Sequence, residues 1–407
     1  MDKSTKNNGH QRNSGVELLR ILAMLMIVLN HSPFSFLQGN ILPHSGDLTL
    51  VTQAVLSSFG GIGDVLFFGI TAWYLCDRAP SFRQSCKRAW KLEQELLFYS
   101  IGLFVLVAFV QFTFQDLLGL GTIGLLTLGV KSLFPTIMGF WWYPSAYILF
   151  TLLHYWIGDW VKSLSGKQHA MLCLVSLTIW SWTPLSKLYM SYGLLLFIFQ
   201  YILISFVHWH TNIFSAHIGR IFAVTGFTLT IVGILLVFSL IGMSPHLGYF
   251  NSPRGLPALL TGVGLIVIAS KSTWKSPIIN YFASTMLAPY LILTYPAWNN
   301  YLQTSVKIFE TGKTDWLIIT TYFFTALIFI SACFFIDVTR QKIFKVFLRR
   351  RGHWIDTLCN NLNSCRFLNT STGSSRFGVC GLSESAGVEQ ASGDVVGEVA
   401  KTQGDAS

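Results

Sequence analysis

The chain has 407 residues, of which 52% are hydrophobic, 15% are aromatic and only 11% are charged. A soluble globular domain usually has about 25% charged residues, so the composition excludes an ordinary soluble domain. It predicts an all-α, polytopic membrane protein with membrane lipids as partners. The formal net charge of +10 does not indicate nucleic-acid binding, because the basic residues lie between apolar segments, where they set the orientation in the membrane.

The apolar segments predict about ten transmembrane helices, since a helix crosses a hydrocarbon core of ~30 Å in about 20 residues. A further stretch, 117–139, contains several glycines together with Lys131 and Pro135, and predicts a re-entrant or interfacial piece. The ten predicted spans are 15–36, 52–76, 93–113, 142–161, 169–183, 191–208, 220–242, 255–270, 280–301 and 315–337.

Basic residues cluster before the first span, between the second and third spans, and after the tenth. The positive-inside rule therefore predicts that both termini are cytoplasmic. We interpret 1–14 as a polar N-terminus without a cleavage signal, and 15–350 as the transmembrane domain. Residues 351–407 are rich in Gly, Ser, Ala and acids, and predict a disordered cytoplasmic tail.

The first span carries ionisable residues on one helical face. Arg20 and His31 are eleven residues apart, which is three turns plus roughly 20° and about 16 Å along the axis. Glu17 precedes Arg20 by three residues and can pair with it. Ionisable groups within a span are costly and favour a polar, functional interior. The alternatives are that Arg20 extends to the cytoplasmic headgroups and that His31 is a helix-end residue at the outer interface.

The seven cysteines show neither metal-ligand spacing nor a disulfide framework. The three histidines His208, His210 and His217 do not match a zinc motif either. We therefore expect no metal cofactor.

Several stretches resemble, in chain order, the acyltransferase-3 family of integral membrane acyltransferases. The first-helix stretch "GVELLRILAMLMIVLNHS" (15–32) has that family's acidic residue, an arginine three positions on, and a histidine after ten intervening residues. The resemblance covers about 15–350. The other matching stretches are "GIGDVLFFGITAWYL", "FRQSCKRAWKLEQELLFYS", "FWWYPSAYILFTLLHYWI", "INYFASTMLAPYLIL" and "DVTRQKIF".

This resemblance implies transfer of an acyl group, most simply acetyl or alternatively succinyl, from acyl-CoA to a hydroxyl group. The acceptor implied is a cell-surface or lipid-linked glycan, and the location is the bacterial plasma membrane. The hypothesis assigns His31 as general base or as transient acyl carrier. Arg20 would hold the donor carbonyl or a CoA phosphate, and Glu17 would orient Arg20.

Further candidates have both a functional and a simpler interpretation. Asp64, in the second span, is expected to find a partner such as Arg20 or His31 across the bundle, or to be a hydrated residue in a glycine-kinked helix. An aromatic group is either a surface for a sugar ring or an interfacial belt; it comprises Trp141, Trp142, Tyr143 and Tyr147. A basic loop either binds CoA phosphates or only sets topology; it carries Arg83, Lys87, Arg88 and Lys91.

The sequence also departs from the family pattern. Thr71, Ala72 and Trp73 replace a Ser-Gly-Tyr/Phe triplet, and Leu293 followed by Thr294 occupies the place of a common late histidine. A non-catalytic family member therefore remains an alternative. A polysaccharide or lipid-linked sugar transporter is another, but we expect neither the paired broken helices nor the inverted repeats that many transporters show. The oligomeric state is left open.

Overall fold

A computed structural model describes the chain as a bundle of helices. All of the described residues belong to one unit, Met1–Cys359, and within them there is no β-strand. The predictions for the N-terminus before residue 13 and for the C-terminal tail lie outside the described residues. The described ranges are 13–31, 47–77, 81–114, 117–182, 193–210, 212–242, 245–298 and 315–347.

The helices confirm the all-α polytopic class. Six helices of the described part are long and apolar enough to cross a membrane: α1, α2, α3, α8, α10 with the short α9 before it, and α13. The predicted number of about ten spans and the cytoplasmic termini stay predictions. The helices are α1 Ser14–His31, α2 Asp47–Cys76, α3 Phe82–Thr113, α4 Gly121–Leu133, α5 Trp142–Ser163, α6 Gly166–Trp182, α7 Gly193–Trp209, α8 Ala216–Ile241, α9 Gly248–Asn251, α10 Leu256–Ser270, α11 Pro277–Ala283, α12 Ala288–Leu293 and α13 Asp315–Phe347.

Glycines let α1 and α2 pack antiparallel at very short range. A Cβ atom at Gly63 would lie 2.8 Å from the backbone oxygen of Ala23, and one at Gly60 would lie 2.4 Å from Cγ of Asn30. Small residues at such contacts allow close backbone approach within a membrane. The pairing also fixes relative depth: residues 60–63 of α2 lie beside residues 23–30 of α1.

One end of the bundle carries a cluster of basic residues and is called the basic end below. It is the end at which α2 finishes and α3 begins. The sequence places these residues in a loop, but the structure shows them on the first three turns of α3, so that part of the prediction is wrong. They are Arg83, Lys87, Arg88 and Lys91.

Helices α4 and α5 form one interrupted element. Helix α4 runs back along α3, where Oγ of Ser100 donates a 2.7 Å hydrogen bond to the backbone oxygen of Ser132. Helix α5 then starts at Trp142 and runs toward the basic end, where its Tyr155 ring packs on Phe82. The thirteen residue steps from Trp142 to Tyr155 measure about 20 Å along the axis of α5, and the 32 residues of α3 measure about 48 Å. Helix α5 therefore begins less than halfway along α3. Helix α4, with 13 residues, is shorter than a full span, and its re-entrant or interfacial position stays a prediction.

A second interruption separates α11 from α12. The four-residue turn 284–287 divides the segment predicted as one span, 280–301, and two of its residues, Thr285 and Met286, are buried. The expectation that this chain lacks paired broken helices is therefore wrong. Non-helical backbone at such depth is tolerated where it is buried in protein or lines a cavity.

Helices α3 and α13 are joined by a buried charge cluster. Nε of Arg340 donates a 2.6 Å hydrogen bond to Oδ1 of Asp337, and its Nη2 lies 3.0 Å from Oε1 of Glu95. Oη of Tyr99 donates a 2.8 Å hydrogen bond to the same Oδ1 of Asp337. The carboxylate of Asp337 also accepts a bond from Gln341. Each charge of the cluster thus has a close partner within the protein.

Substitution Gly63→Ala tests the α1–α2 contact. We expect it to destabilise the protein by about 1–3 kcal/mol, because the new methyl group meets a backbone oxygen that cannot move aside. The matched control is Gly102→Ala on α3, where no atom lies within 4 Å of the added Cβ. Thermal unfolding in detergent measures both; equal midpoints would contradict the close contact.

Substitution Arg340→Met tests the charge cluster. Removing the guanidinium leaves the fully buried Asp337 without its cation, and breaking a buried pair in this way costs roughly 3–5 kcal/mol. Arg220→Met, at an exposed position of α8, is the control and should change stability by no more than about 0.5 kcal/mol. The fraction of folded protein after heating, read by size-exclusion chromatography, compares the two variants.

Candidate functional site

The cationic part of the site is an ion pair within α1. Nη1 of Arg20 donates a 2.8 Å hydrogen bond to Oε2 of Glu17, as the spacing of three residues predicts. Glu17 is 1% exposed, whereas the Arg20 side chain is 18% exposed. The buried carboxylate therefore holds the guanidinium at a fixed place on the inner face of α1.

His31 lies at the other end of the same helix with one ring nitrogen already engaged. Its Nδ1 is 3.0 Å from the backbone oxygen of Ile27. A carbonyl oxygen can only accept, so we assign the proton to Nδ1. This tautomer leaves a lone pair on Nε2, which is the state that a general base needs.

Tyr290 on α12 packs against His31 and was not among the predicted site residues. The two rings meet edge to face, with centroids 5.9 Å apart and planes at 88°. The side chain of Tyr290 is 6% exposed, and its hydroxyl lies close to the backbone N–H of Tyr143. The available signal was the stretch "INYFASTMLAPYLIL", whose tyrosine follows the turn that brings α12 to His31.

Asp64 lies in depth between Arg20 and His31, because its neighbour Gly63 packs on residues 23–27 of α1. It is half-buried and close enough to Tyr143 and Tyr290 for electrostatic interaction. The expected ion pair with Arg20 or His31 is not seen: within the described ranges, Asp64 makes no hydrogen bond or ion pair.

The start of α5 supplies the aromatic part of the site. Tyr143 is 7% exposed, and its ring packs on Tyr290 at 6.3 Å between centroids. It also lies within electrostatic reach of Arg20 and of the half-buried Tyr147. Because Tyr143 is buried inside the bundle, it does not belong to an interfacial belt.

The contacts of Trp141 differ from those of Tyr143. It is 2% exposed and packs on Tyr295, with centroids 6.3 Å apart. Its indole Nε1 has no hydrogen-bond partner in the described part of the chain. Its neighbour Trp142 is 38% exposed. The predicted aromatic group is thus divided: Tyr143 lies within electrostatic reach of Asp64 and Tyr147, whereas Trp141 packs on Tyr295.

The predicted CoA-binding residues lie at the basic end, far from His31. Gly60 lies beside Asn30, and the 16 residues from Gly60 to Cys76 measure about 24 Å along α2. Arg83, Lys87 and Lys91 recur every fourth residue and share one stripe of α3. Arg88 donates a long 3.4 Å hydrogen bond to Gln84 and lies within electrostatic reach of His154.

A comparison with protein families matches residues 13–351 to the family described as an acyltransferase domain. The chain belongs to the acyltransferase-3 family. No curated protein and no solved structure matches the chain. Family membership identifies this acyltransferase-3 protein as a membrane acyltransferase, and no group of three potential metal ligands is found among the described residues.

The departures from the family pattern can be placed in this acyltransferase-3 protein. Leu293, at the position of the common late histidine, is half-buried at the end of α12. Tyr290, three residues earlier, makes the contact with His31. Trp73 of the altered triplet packs on His208 near the basic end, with ring centroids 4.4 Å apart.

The contrast between Glu17 and Asp64 gives a testable prediction. Glu17→Gln should destabilise the fold by about 1–3 kcal/mol, because it weakens a charge-assisted hydrogen bond at a buried position. Asp64→Asn should change stability by less than about 0.5 kcal/mol, since no described residue depends on its charge, yet it should reduce activity. Unfolding midpoints measured beside acyl-transfer rates separate the two; a large stability loss for Asp64→Asn would contradict the assignment.

Proposed function

We propose that the protein transfers an acetyl group from acetyl-CoA to a hydroxyl of a cell-surface or lipid-linked glycan, in the bacterial plasma membrane. The observation that carries this proposal is the Nδ1 hydrogen bond of His31, because it leaves Nε2 free to take a proton. Another acyl-CoA, such as succinyl-CoA, would serve the same chemistry.

The base acts on the acceptor. Nε2 of His31 takes the hydroxyl proton as the glycan oxygen attacks the thioester carbonyl carbon. The tetrahedral intermediate then loses the CoA thiolate, and the imidazolium returns the proton to that sulfur. Because one proton is taken and one is given back, a single imidazole completes the cycle. Direct transfer and a transient acyl-histidine both fit this site.

The other residues orient the reactants under this proposal. Arg20, held by Glu17, would bind a polar group of the CoA donor on the side of the site away from His31, because about 16 Å along α1 separates the two residues. Asp64, Tyr143 and Tyr147 offer acceptors and donors to sugar hydroxyls. The CoA phosphates would bind at the basic end, which the positive-inside rule predicts to be cytoplasmic, to Arg83, Lys87, Arg88 and Lys91.

A sugar transporter is the second candidate, and one observation favours it. Interrupted helices that meet at mid-bundle, as α4 with α5 and α11 with α12 do, are common at transporter substrate sites. The same architecture suits a transferase, since either activity needs a polar site within the bilayer. A non-catalytic member of the family would keep the fold and lack transfer from acyl-CoA.

Substitution His31→Ala tests the proposed reaction. In membranes supplied with labelled acetyl-CoA, we expect it to lower transfer of label to glycan by roughly 10²–10⁴-fold, the usual contribution of a general base. His210→Ala is a close control, because its Nδ1 also lies 2.9 Å from the backbone oxygen four residues earlier and His210 is half-buried too.

Three outcomes distinguish the candidates in this experiment. Loss of label with His31→Ala but not with His210→Ala supports the transferase mechanism. Full activity of a normally inserted His31→Ala protein refutes the role of His31. Movement of glycan across the membrane without any label from acetyl-CoA, in the unmodified protein, identifies a transporter.

A further inference from the structure

Three phenylalanines form a closed layer between the two ends of the site. Phe68 and Phe197 stack with centroids 4.2 Å apart and planes at 2°, and Phe150 meets Phe68 edge to face at 5.1 Å. Their exposed fractions are 0%, 1% and 0% for Phe68, Phe197 and Phe150. We call these three residues the phenylalanine layer.

Polar groups lie on both sides of this layer. On one side, the ring centroids of Phe197 and Tyr143 lie 5.0 Å apart. Tyr143 lies within electrostatic reach of Asp64 and packs on Tyr290, which contacts His31. On the other side, Phe150 contacts His154 at 5.9 Å and Tyr201 at 5.6 Å. The rings of the layer thus lie between Tyr143 on one side and His154 with Tyr201 on the other.

His154 and Tyr201, the polar pair nearer the basic end, lie close to one of the proposed donor-binding residues. Nε2 of His154 lies 3.3 Å from Oη of Tyr201, and Arg88 lies within electrostatic reach of His154. Tyr201 also lies within hydrogen-bonding reach of Cys76, the last residue of α2. From Tyr143 to His154 is eleven residues of α5, or about 16 Å.

Two buried polar atoms on α5 and α7, the helices that carry Phe150 and Phe197, have no hydrogen-bond partner within the described ranges. They are Oγ1 of Thr151 on α5 and Oε1 of Gln200 on α7, whose residues are 1% and 2% exposed. A threonine inside a helix commonly donates to the carbonyl four residues earlier, and Thr151 does not. A bound ligand can supply the polar partner that buried atoms of this kind need.

From these contacts, we infer that the segment between His154 and Tyr143 is the binding route for the acyl-pantetheine arm of a CoA thioester, closed at rest by the phenylalanine layer. This inference rests on the proposed function, because it supplies the path from a donor at the basic end to His31. The amides of the arm would hydrogen-bond to Thr151 and Gln200. The rings of the layer would separate to admit the thioester and would exclude water when the route is empty.

Chemical labelling tests the layer without any need for catalysis. In an Asp64→Cys protein within inverted membrane vesicles, a membrane-impermeant maleimide should leave the introduced thiol unmodified, as read by peptide mass so that the native cysteines can stay. Adding Phe197→Ala should increase modification of that thiol at least tenfold. Phe199→Ala is the matched control, since Phe199 is on the same helix, is 2% exposed and stacks on Trp180 outside the layer.

The labelling result decides the inference in either direction. No gain with Phe197→Ala, or ready labelling before the layer is changed, overturns it. If Phe197→Ala does not insert, Phe197→Leu serves as the milder variant. Because the readout is modification of a thiol, it stays informative even when the proposed transferase activity is absent.

Kinetics test the polar lining separately. Thr151→Val should raise the KM for acetyl-CoA about fivefold, the equivalent of about one hydrogen bond, and leave the KM for the acceptor unchanged. Thr230→Val is the control, because Thr230 is fully buried on α8 and its hydroxyl donates to the backbone oxygen of Gly226 at 2.9 Å. An unchanged KM for acetyl-CoA in Thr151→Val, or an equal rise in both variants, contradicts the route.

Discussion

A bilayer interior offers no water to a buried polar group, so each ionisable side chain within a span must find its partner inside the protein or in a ligand. This constraint divides the charges of the described bundle into two kinds. Arg340 with Asp337 and Glu95, and Arg20 with Glu17, have close partners. Asp64, at mid-depth in α2, makes no hydrogen bond or ion pair with a described residue. Charges of the first kind are neutralised within the protein, whereas Asp64 keeps a carboxyl group that a ligand can engage.

Close helix packing determines where these charged residues lie relative to one another. The glycines of α2 bring its backbone against α1, which places Asp64 in depth between Arg20 and His31. Helix α5 begins at the same depth, so Tyr143 enters the group from a third direction. Tyr290 enters from α12, after the interruption of its helix. The site therefore draws on four helices, and two of these begin inside the bundle.

The parts that the sequence predicts well depend on local rules. Helical periodicity is sufficient to place Glu17, Arg20 and His31 on one face, and the composition is sufficient for the membrane class. The parts that it misses depend on tertiary contacts. The packing of α4 along α3 is stabilised by bonds such as that between Ser100 and Ser132, which no hydropathy pattern contains. Tyr290 likewise becomes a candidate site residue only because the turn before α12 brings it next to His31.

The interrupted helices also account for the resemblance between a transferase site and a transporter site. Both activities bring a polar molecule to a point inside the bilayer, and both must prevent a continuous water path across it. A transporter meets the second demand by alternating access. An acyltransferase with its donor and acceptor on opposite sides needs only the acyl-bearing arm of the donor to enter, because the nucleotide of CoA and the glycan can each stay on their own side. In the proposed route, the phenylalanine layer would meet that demand, because its rings would part for one acyl-bearing arm and stay closed to ions and sugars.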